Sequence, residues 1–327
     1  MTFKALLLDN QPAFSARVAE LEQDQLPEGE VLIRVSHSTL NYKDALAIGN
    51  TSPIVRTWPM VAGIDVAGVV ASSTSPDFQP GDGVVVNGWG QGETRWGGLA
   101  QYARVPAGWP VKLPAPYGPF EAAAVGTAGY TAAMSVLALE RHGLQPENGP
   151  ILVTGATGGV GSIAVLLLAR AGYQVWAVTG KAADADYLMG LGAAQVLPRA
   201  EFAAPGKPLQ KERLAGVVDA LGSHALVNAC AQVKRGGAVA ACGLAMGMDF
   251  PATVAPFILR GVTLYGIDSV YASRARREAA WALLAARVTP ADLAGIVRVI
   301  GLSDTVAAAG NILAGAMTGR YVVEVDR

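Results

Sequence analysis

Cysteine and histidine are scarce in this 327-residue chain, which carries two of the first and three of the second. Cys230 and Cys242 lie in Ala-rich apolar stretches and lack the paired spacing of a disulfide framework or a zinc lobe, so both are expected to be buried and reduced. His37, His142 and His224 are scattered along the chain. An excess of one charge is missing too: 25 Lys and Arg face 26 Asp and Glu. Nothing in bulk therefore recruits nucleic acid or an anionic membrane, although a local basic site for a phosphate stays open. The longest uncharged run, Ala122 to Leu139, is interrupted by Gly126, Thr127, Gly129, Tyr130, Thr131 and Ser135, which argues against a membrane span. "MTFKALLLDNQ" meets an acid too soon to be a signal peptide. A cytoplasmic protein is expected.

What is abundant is apolar and glycine: 51% hydrophobic residues and 39 Gly indicate a compact α/β protein long enough for two domains. Up to about Pro119 short alternating strands such as "EVLIRVSHS" and "GDGVVVNG" follow one another between Gly and Pro, the texture of a partly open barrel. Beyond that, short apolar runs alternate with helical segments, as a parallel sheet covered on both faces requires. The expected division is a catalytic barrel-like domain over residues 1–121, joined by a return of 266–327, and a dinucleotide-binding domain over 122–265.

The segment "ILVTGATGGVG" feeds a strand into a glycine loop and then a helix. Glycines there let the backbone approach a pyrophosphate, and the helix start supplies free N–H groups and a positive dipole end. Ala156 stands in the register of the first glycine of G-x-G-x-x-G. Thr157, Gly158, Gly159, Val160 and Gly161 are the candidate phosphate cradle. The next strand ends in Thr179, Gly180 and Lys181 with no acid for a ribose 2′-hydroxyl. A hydroxyl and a cation, reinforced by Arg199, suit a 2′-phosphate and hence NADPH; Asp184 is what an NAD site would have to use. Where the later strands end, Leu221, Gly222, Gly243, Leu244, Ile267 and Asp268 are further candidate cofactor contacts, as is Thr127.

Asn41, Tyr42, Lys43 and Asp44 gather where a strand gives way to a helix. Tyr42, Asn41 and Asp44 are the candidate catalytic residues; the alternative is that Asn41 and Asp44 cap the helix and Tyr42 packs on the barrel. Asn311 either reaches the cofactor amide or caps a helix. Lys43, Arg95, Arg274, Arg276 and Arg277 are candidate partners for distal phosphates or plain solvated charges. The tryptophan-bracketed "GWGQGETRWGG" either lines a cleft mouth or is an anchored surface loop.

The order of "NYKDALAIGN", the Gly-Asp-Gly turn at 81–83, "GTAGYTAA", "TGATGGVG" and "TGRYVVEV" resembles a medium-chain dehydrogenase/reductase over essentially the whole chain. "LNYKDALA", "VLPR" and "LYGIDSV" are similar to its acrylyl-CoA reductase branch. The resemblance implies a GroES-like barrel with a doubly wound Rossmann domain, NADPH as cofactor, a homodimer, and zinc-free reduction of acrylyl-CoA to propanoyl-CoA. Zinc-dependent relatives carry Cys where Asn41 stands, His where Ile64 stands, and a further Cys within the "GTAGYTA" region. The implied chemistry puts hydride on the β-carbon of an alkene conjugated to a thioester, gathers charge on the thioester oxygen and then protonates the α-carbon. That reaction needs orientation and hydrogen-bond donors rather than a strong Lewis acid, with Tyr42 as ribose contact or proton donor. A quinone reductase of the same architecture is the nearest alternative, and a non-catalytic NADPH-binding regulatory or structural protein is the alternative from another class.

Overall fold

A computed structural model describes residues 1–327. The chain opens with β1 (Thr2–Asp9), β2 (Ser15–Glu22), β3 (Val31–Leu40), α1 (Tyr42–Ile48), β4 (Met60–Val61), β5 (Asp65–Ser73), β6 (Gly83–Asn87), β7 (Tyr102–Val105) and β8 (Val111–Lys112). Alternation decides how these strands face: Val31, Ile33 and Val35 are fully buried while Leu32, Arg34 and Ser36 between them are half-buried. β3 pairs antiparallel with both β5 and β7, so its inward side chains pack with Val66, Val84, Val86 and Val105 in one core. β1, β2 and β4 make a separate antiparallel sheet.

A long helix, α2 (Pro119–His142), follows and is broken at Gly126, whose φ of 50° and ψ of −166° are not helical. Most of it is buried inside the protein, as a core helix is. Then come β9 (Ile151–Val153), α3 (Gly159–Arg170), β10 (Val175–Thr179), α4 (Ala185–Gly190), β11 (Gln195–Pro198), α5 (Ala200–Ala203), β12 (Leu214–Asp219), α6 (Ser223–Gln232), β13 (Val233–Ala241), α7 (Ala255–Arg260) and β14 (Thr263–Gly266). Their strands form one parallel sheet in the order β11-β10-β9-β12-β13-β14. Chain order reverses between β9 and β12, and in such sheets a dinucleotide binds beyond the strand ends at that switch.

The last segment adds α8 (Arg274–Arg287), α9 (Pro290–Ala294), β15 (Val297–Gly301), α10 (Thr305–Leu313) and β16 (Arg320–Glu324). β16 pairs antiparallel with β3, Tyr321 opposite Leu40, completing a seven-stranded sheet. Two compact units result: Met1–Thr127 with Ser269–Ala285 and Thr289–Arg327, and Ala128–Asp268 with 286–288. The first break falls one residue past the Gly126 kink, inside α2, whereas the change of sequence texture comes at the start of that helix. Cys230 is buried and Cys242 half-buried; burial is the main cause that pushes both thiols up to about 12.

Candidate active and cofactor sites

In the parallel-sheet unit, Gly155 turns the chain out of β9 at φ +60°, a conformation that favours glycine. The first helical bond of α3 runs from Ser162 N–H to the Gly158 carbonyl at 2.9 Å, which leaves the N–H groups of Gly159, Val160 and Gly161 free of helical acceptors. A side chain on Gly161 would collide with the Gly155 carbonyl and come within 2.5 Å of Ala156 Cα, so this glycine lets the helix close on the strand. Across the switch point the Thr154 hydroxyl donates to Asp219 Oδ1 at 2.6 Å, and Gly222 N–H donates to Oδ2 at 2.8 Å. Burial raises the Asp219 carboxyl to about 6. Asp219 thus fixes the β12 exit that carries Leu221 and Gly222. Cys242 N–H bonds the Asp219 carbonyl at 2.8 Å, and Ile267 N–H bonds the Ala241 carbonyl at 3.0 Å. These bonds place Gly243, Leu244, Ile267 and Asp268 at neighbouring strand ends.

The Thr157 and Thr179 hydroxyls lie 3.3 Å apart, and Lys181 N–H donates to Thr179 Oγ1 at 3.0 Å. A cavity of about 570 Å³ opens beside them, lined by Thr179, Gly180, Ala182, Pro198 and Arg199 among others. The exposed Arg199 guanidinium lies over Gly180, where a Cβ would come within 2.8 Å of its central carbon. Burial pulls the Lys181 amine below its usual value, against the pull of Asp184. Free helix N–H groups, a glycine cradle and this basic pocket fit a dinucleotide carrying a 2′-phosphate.

In the other unit, β3 ends at Leu40 and Asn41 takes an extended N-cap conformation, φ −104° and ψ 168°. Asp44 reaches back to the start of α1: its Oδ2 accepts from Asn41 N–H at 2.8 Å and from Asn41 Nδ2 at 3.1 Å, and its Oδ1 accepts from Ile64 N–H at 2.9 Å. Asp44 is 2% exposed, which gives it a capping role with no open face toward a ligand. Tyr42, the first residue of α1, is 42% exposed. Lys43 is paired with Glu93 at 2.8 Å.

Beside them lies a cluster that sequence reasoning did not assemble. Asp65, 1% exposed, accepts on Oδ1 from Asn87 Nδ2 (2.7 Å), Thr127 N–H (3.0 Å) and Thr127 Oγ1 (2.6 Å). Its Oδ2 accepts from Asn41 Nδ2 at 2.8 Å and Thr127 N–H at 2.9 Å. Arg320, 3% exposed, donates to Thr39 Oγ1 at 2.8 Å. Asn41 and Thr127, the first a metal-ligand position in zinc-dependent relatives and the second within the region of another, meet on one carboxylate, and Ile64 N–H bonds its neighbour Asp44. No group of three or more His, Cys, Asp or Glu is placed to hold a metal ion. The signal available was "GID", read for the histidine absent at Ile64 rather than for Asp65, and the "TGR" that contains Arg320.

Several basic and aromatic residues are resolved as framework. Arg277 is 2% exposed and donates to the carbonyls of Ala272 (3.0 Å), Asn87 (2.6 Å) and Val270 (2.6 Å), so burial removes it from the candidates for a phosphate. Arg274 pairs with Glu278 at 2.8 Å. Trp89 stacks on Trp109 with centroids 5.7 Å apart, with the Arg277 guanidinium 4.3 Å from the Trp89 ring and Arg95 over Trp109 at 5.8 Å. Trp96 Nε1 donates to the Pro59 carbonyl at 3.2 Å: the glycine-rich loop is anchored by its tryptophans. Asn311 sits inside α10 with its amide 3.5 Å from the Tyr321 hydroxyl, away from a cap.

The fold and the dinucleotide cradle define a nicotinamide-dependent oxidoreductase. Two family models match, an alcohol dehydrogenase GroES-like domain over residues 27–115 and a zinc-binding dehydrogenase over residues 159–286. The chain is 48% identical to the acrylyl-CoA reductase AcuI of Ruegeria pomeroyi, covering 99% of both chains. It is 44% identical to the putative quinone oxidoreductase YhfP of Bacillus subtilis, again over 99% of each. The yhdH oxidoreductase of Salmonella enterica, solved in complex with NADP, superposes with a TM-score of 0.97 at 47% identity, over 99% of this chain and 100% of that one. The chain therefore belongs to the medium-chain dehydrogenase/reductase family.

Proposed function

We propose that the protein reduces the α,β double bond of a short 2-enoyl-CoA, acrylyl-CoA to propanoyl-CoA foremost, with NADPH and without zinc. The observation that carries the zinc-free reading is the closed cluster on Asp65: Asn41 and Thr127 are spent on hydrogen bonds to a carboxylate, and neither is a soft or imidazole ligand. The substrate reading rests on likeness over the full length to the Ruegeria enzyme. When bound, NADPH supplies the hydride. The helix start at Gly159–Gly161 holds its pyrophosphate, and Thr179, Lys181 and Arg199 hold its 2′-phosphate. Tyr42, exposed at the head of α1, offers its Oη proton to the cofactor ribose or to the substrate. An acceptor conjugated to its own carbonyl carries the electron sink that a metal would otherwise provide, so the protein has to orient and donate hydrogen bonds.

A quinone acceptor is the second reading, favoured by the 44% identity to YhfP. Mixing the protein with NADPH and either acrylyl-CoA or a simple quinone, and following the nicotinamide absorbance, separates them. Faster loss with the quinone overturns the thioester reading, and tight NADPH binding with no turnover on any activated alkene overturns enzymatic function.

We place the enzyme in the cytoplasm as a homodimer. β14 is an edge strand with unpaired backbone groups, and near it in sequence Met248 (85%), Val254 (65%) and Ile258 (73%) are exposed, an apolar surface suited to a second copy. Sedimentation of the wild type and of Ile258→Glu checks this: a monomeric wild type sinks it.

A further inference from the structure

We propose that Arg56 and Arg95, set beside the Lys43–Glu93 pair at the glycine-rich loop, form an anion site that takes the phosphate groups of a CoA thioester. The inference rests on the thioester reading above and names the surface that holds the far end of that substrate.

The site begins with a scarcity of acids. From Thr51 to Gly63 there is no Asp or Glu, and from Gly88 to Leu99 the one acid is Glu93. The backbone brings these two segments together: Arg56 N–H donates to the Glu93 carbonyl at 2.8 Å, and Trp96 Nε1 donates to the Pro59 carbonyl at 3.2 Å. From α1, Lys43 Nζ reaches the Glu93 carboxylate at 2.8 Å. Glu93 thus gathers three cations and neutralises one. Arg56 and Arg95 are both exposed; the Arg95 guanidinium lies over the Trp109 ring at 5.8 Å, and no carboxylate pairs with either arginine. Lys43, Arg56 and Arg95 against Glu93 leave a local charge of +2, in a chain whose formal net charge is −1. The closed cluster on Asp65 spends its charges internally, whereas this surface does not.

The loop holds the surface in place. Gly88, Trp89, Gly90 and Gly92 all have left-handed φ, at 76°, 60°, 77° and 71°. For a tryptophan that conformation is strained, and it persists where the surroundings over-determine it, as they do at ligand clamps. Trp89 stacks on Trp109 and has the buried Arg277 guanidinium 4.3 Å from its ring centre. The resulting turn points the N–H groups of Glu93 (3.1 Å), Thr94 (2.9 Å) and Arg95 (3.0 Å) at the single carbonyl of Gly90, and Gly92 N–H returns to the Arg95 carbonyl at 2.8 Å. Glu93 and Arg95 are therefore presented from a fixed turn.

Two free guanidiniums and a nearby ammonium match phosphate oxygens, the guanidinium as a planar fork and the ammonium as a point charge. A CoA thioester carries a diphosphate and a 3′-phosphate at the end remote from its acyl group. Lys43 directly follows Tyr42, and contacts run from it through Glu93 to Arg56 and Arg95. The acyl end and the phosphate end of one thioester thus find partners on the same frame. A simple quinone has no group for this surface.

The test measures KM for acrylyl-CoA and for acrylyl-pantetheine, which lacks the diphosphate and the 3′-phosphate, in wild type, Arg56→Gln, Arg95→Gln and the double variant. Each single variant is expected to raise KM for acrylyl-CoA by roughly 5- to 10-fold and the double variant by roughly 30-fold or more. The effect falls on KM rather than kcat, as loss of uniform binding does. It should shrink in about 0.5 M salt, since both charges are exposed. KM for acrylyl-pantetheine should move by less than about twofold, because no phosphate is there to lose its partner. A double variant with the wild-type KM for acrylyl-CoA overturns the proposal, as does one that loses both thioesters equally or weakens NADPH as much as acrylyl-CoA. A wild type that reduces neither thioester removes the substrate reading, and titration of CoA and of pantetheine into the NADPH-loaded protein then judges the site. CoA binding that weakens in the double variant supports the anion site; CoA binding that is unchanged, or absent from the wild type, overturns it.

Discussion

The two units solve opposite electrostatic problems. The parallel-sheet unit has to receive a polyanion that comes and goes, so its polar groups stand open: the N–H groups of Gly159 to Gly161 lack helical acceptors, and Arg199 is exposed beside Gly180. The barrel-like unit buries its charges instead, closing Asp44, Asp65 and Arg320 on one another through Asn41, Thr39 and Thr127. Open groups convert into affinity for a ligand, and closed groups convert into stability and a fixed geometry.

The hardest blow to that contrast is Asp65→Leu. It strands Asn41, Asn87, Thr127 and Arg320 in a buried site, and chemical denaturation should show a loss of about 3–5 kcal/mol; a loss below about 1 kcal/mol would mean the cluster is not closed. Next is Arg199→Ala, which should weaken NADPH by roughly 10- to 100-fold, leave NADH nearly unchanged and spare the melting temperature. Equal weakening of both cofactors in a binding titration would remove Arg199 from the 2′-phosphate site. A smaller effect separates the units through pH. Asp44 holds its proton to about 7 in the folded state, so its contribution to stability is complete below the unfolded carboxyl value and declines as pH rises from about 4 to about 7, by at most about 1.4 kcal/mol per pH unit. Asp219, raised to about 6, adds a slope of the same sign in the other unit. Asp44→Asn should flatten the upper part of that slope and leave the Asp219 part; an unchanged curve in pH-dependent unfolding contradicts the assignment. Smallest is Tyr42→Phe, expected to lower kcat by about 3- to 10-fold with the melting temperature within about 1 °C of wild type, since the ring is 42% exposed. A stability loss without a kinetic one would return Tyr42 to a packing role.

Legibility in the sequence followed the range of the interactions. The glycine loop, the Thr179–Lys181 strand end and the alternation of Val31, Ile33 and Val35 are written in adjacent residues, and the parallel sheet covered on both faces is written in the alternation of short apolar runs with helical segments, whereas the order of its strands is not. The Asp65 cluster is not local: it joins Asn41, Asp65, Thr127 and Arg320, the last 279 residues from the first, and no spacing rule links those positions. Arg277 shows the opposite difficulty. In "RARRE" it looks like any solvated charge, and only the carbonyls of Asn87, Val270 and Ala272 converging on it account for its burial.

The two thiols carry a last consequence. Acrylyl thioesters add readily to thiolates, so an enzyme that handles one is exposed to alkylation by its own substrate. With Cys230 shut in the core, the Cys242 thiol donating to the Asp219 carbonyl at 3.1 Å, and both held near 12, almost no sulfur anion exists at neutral pH. For the thioester substrate proposed above, the protein's soft nucleophiles stand disarmed.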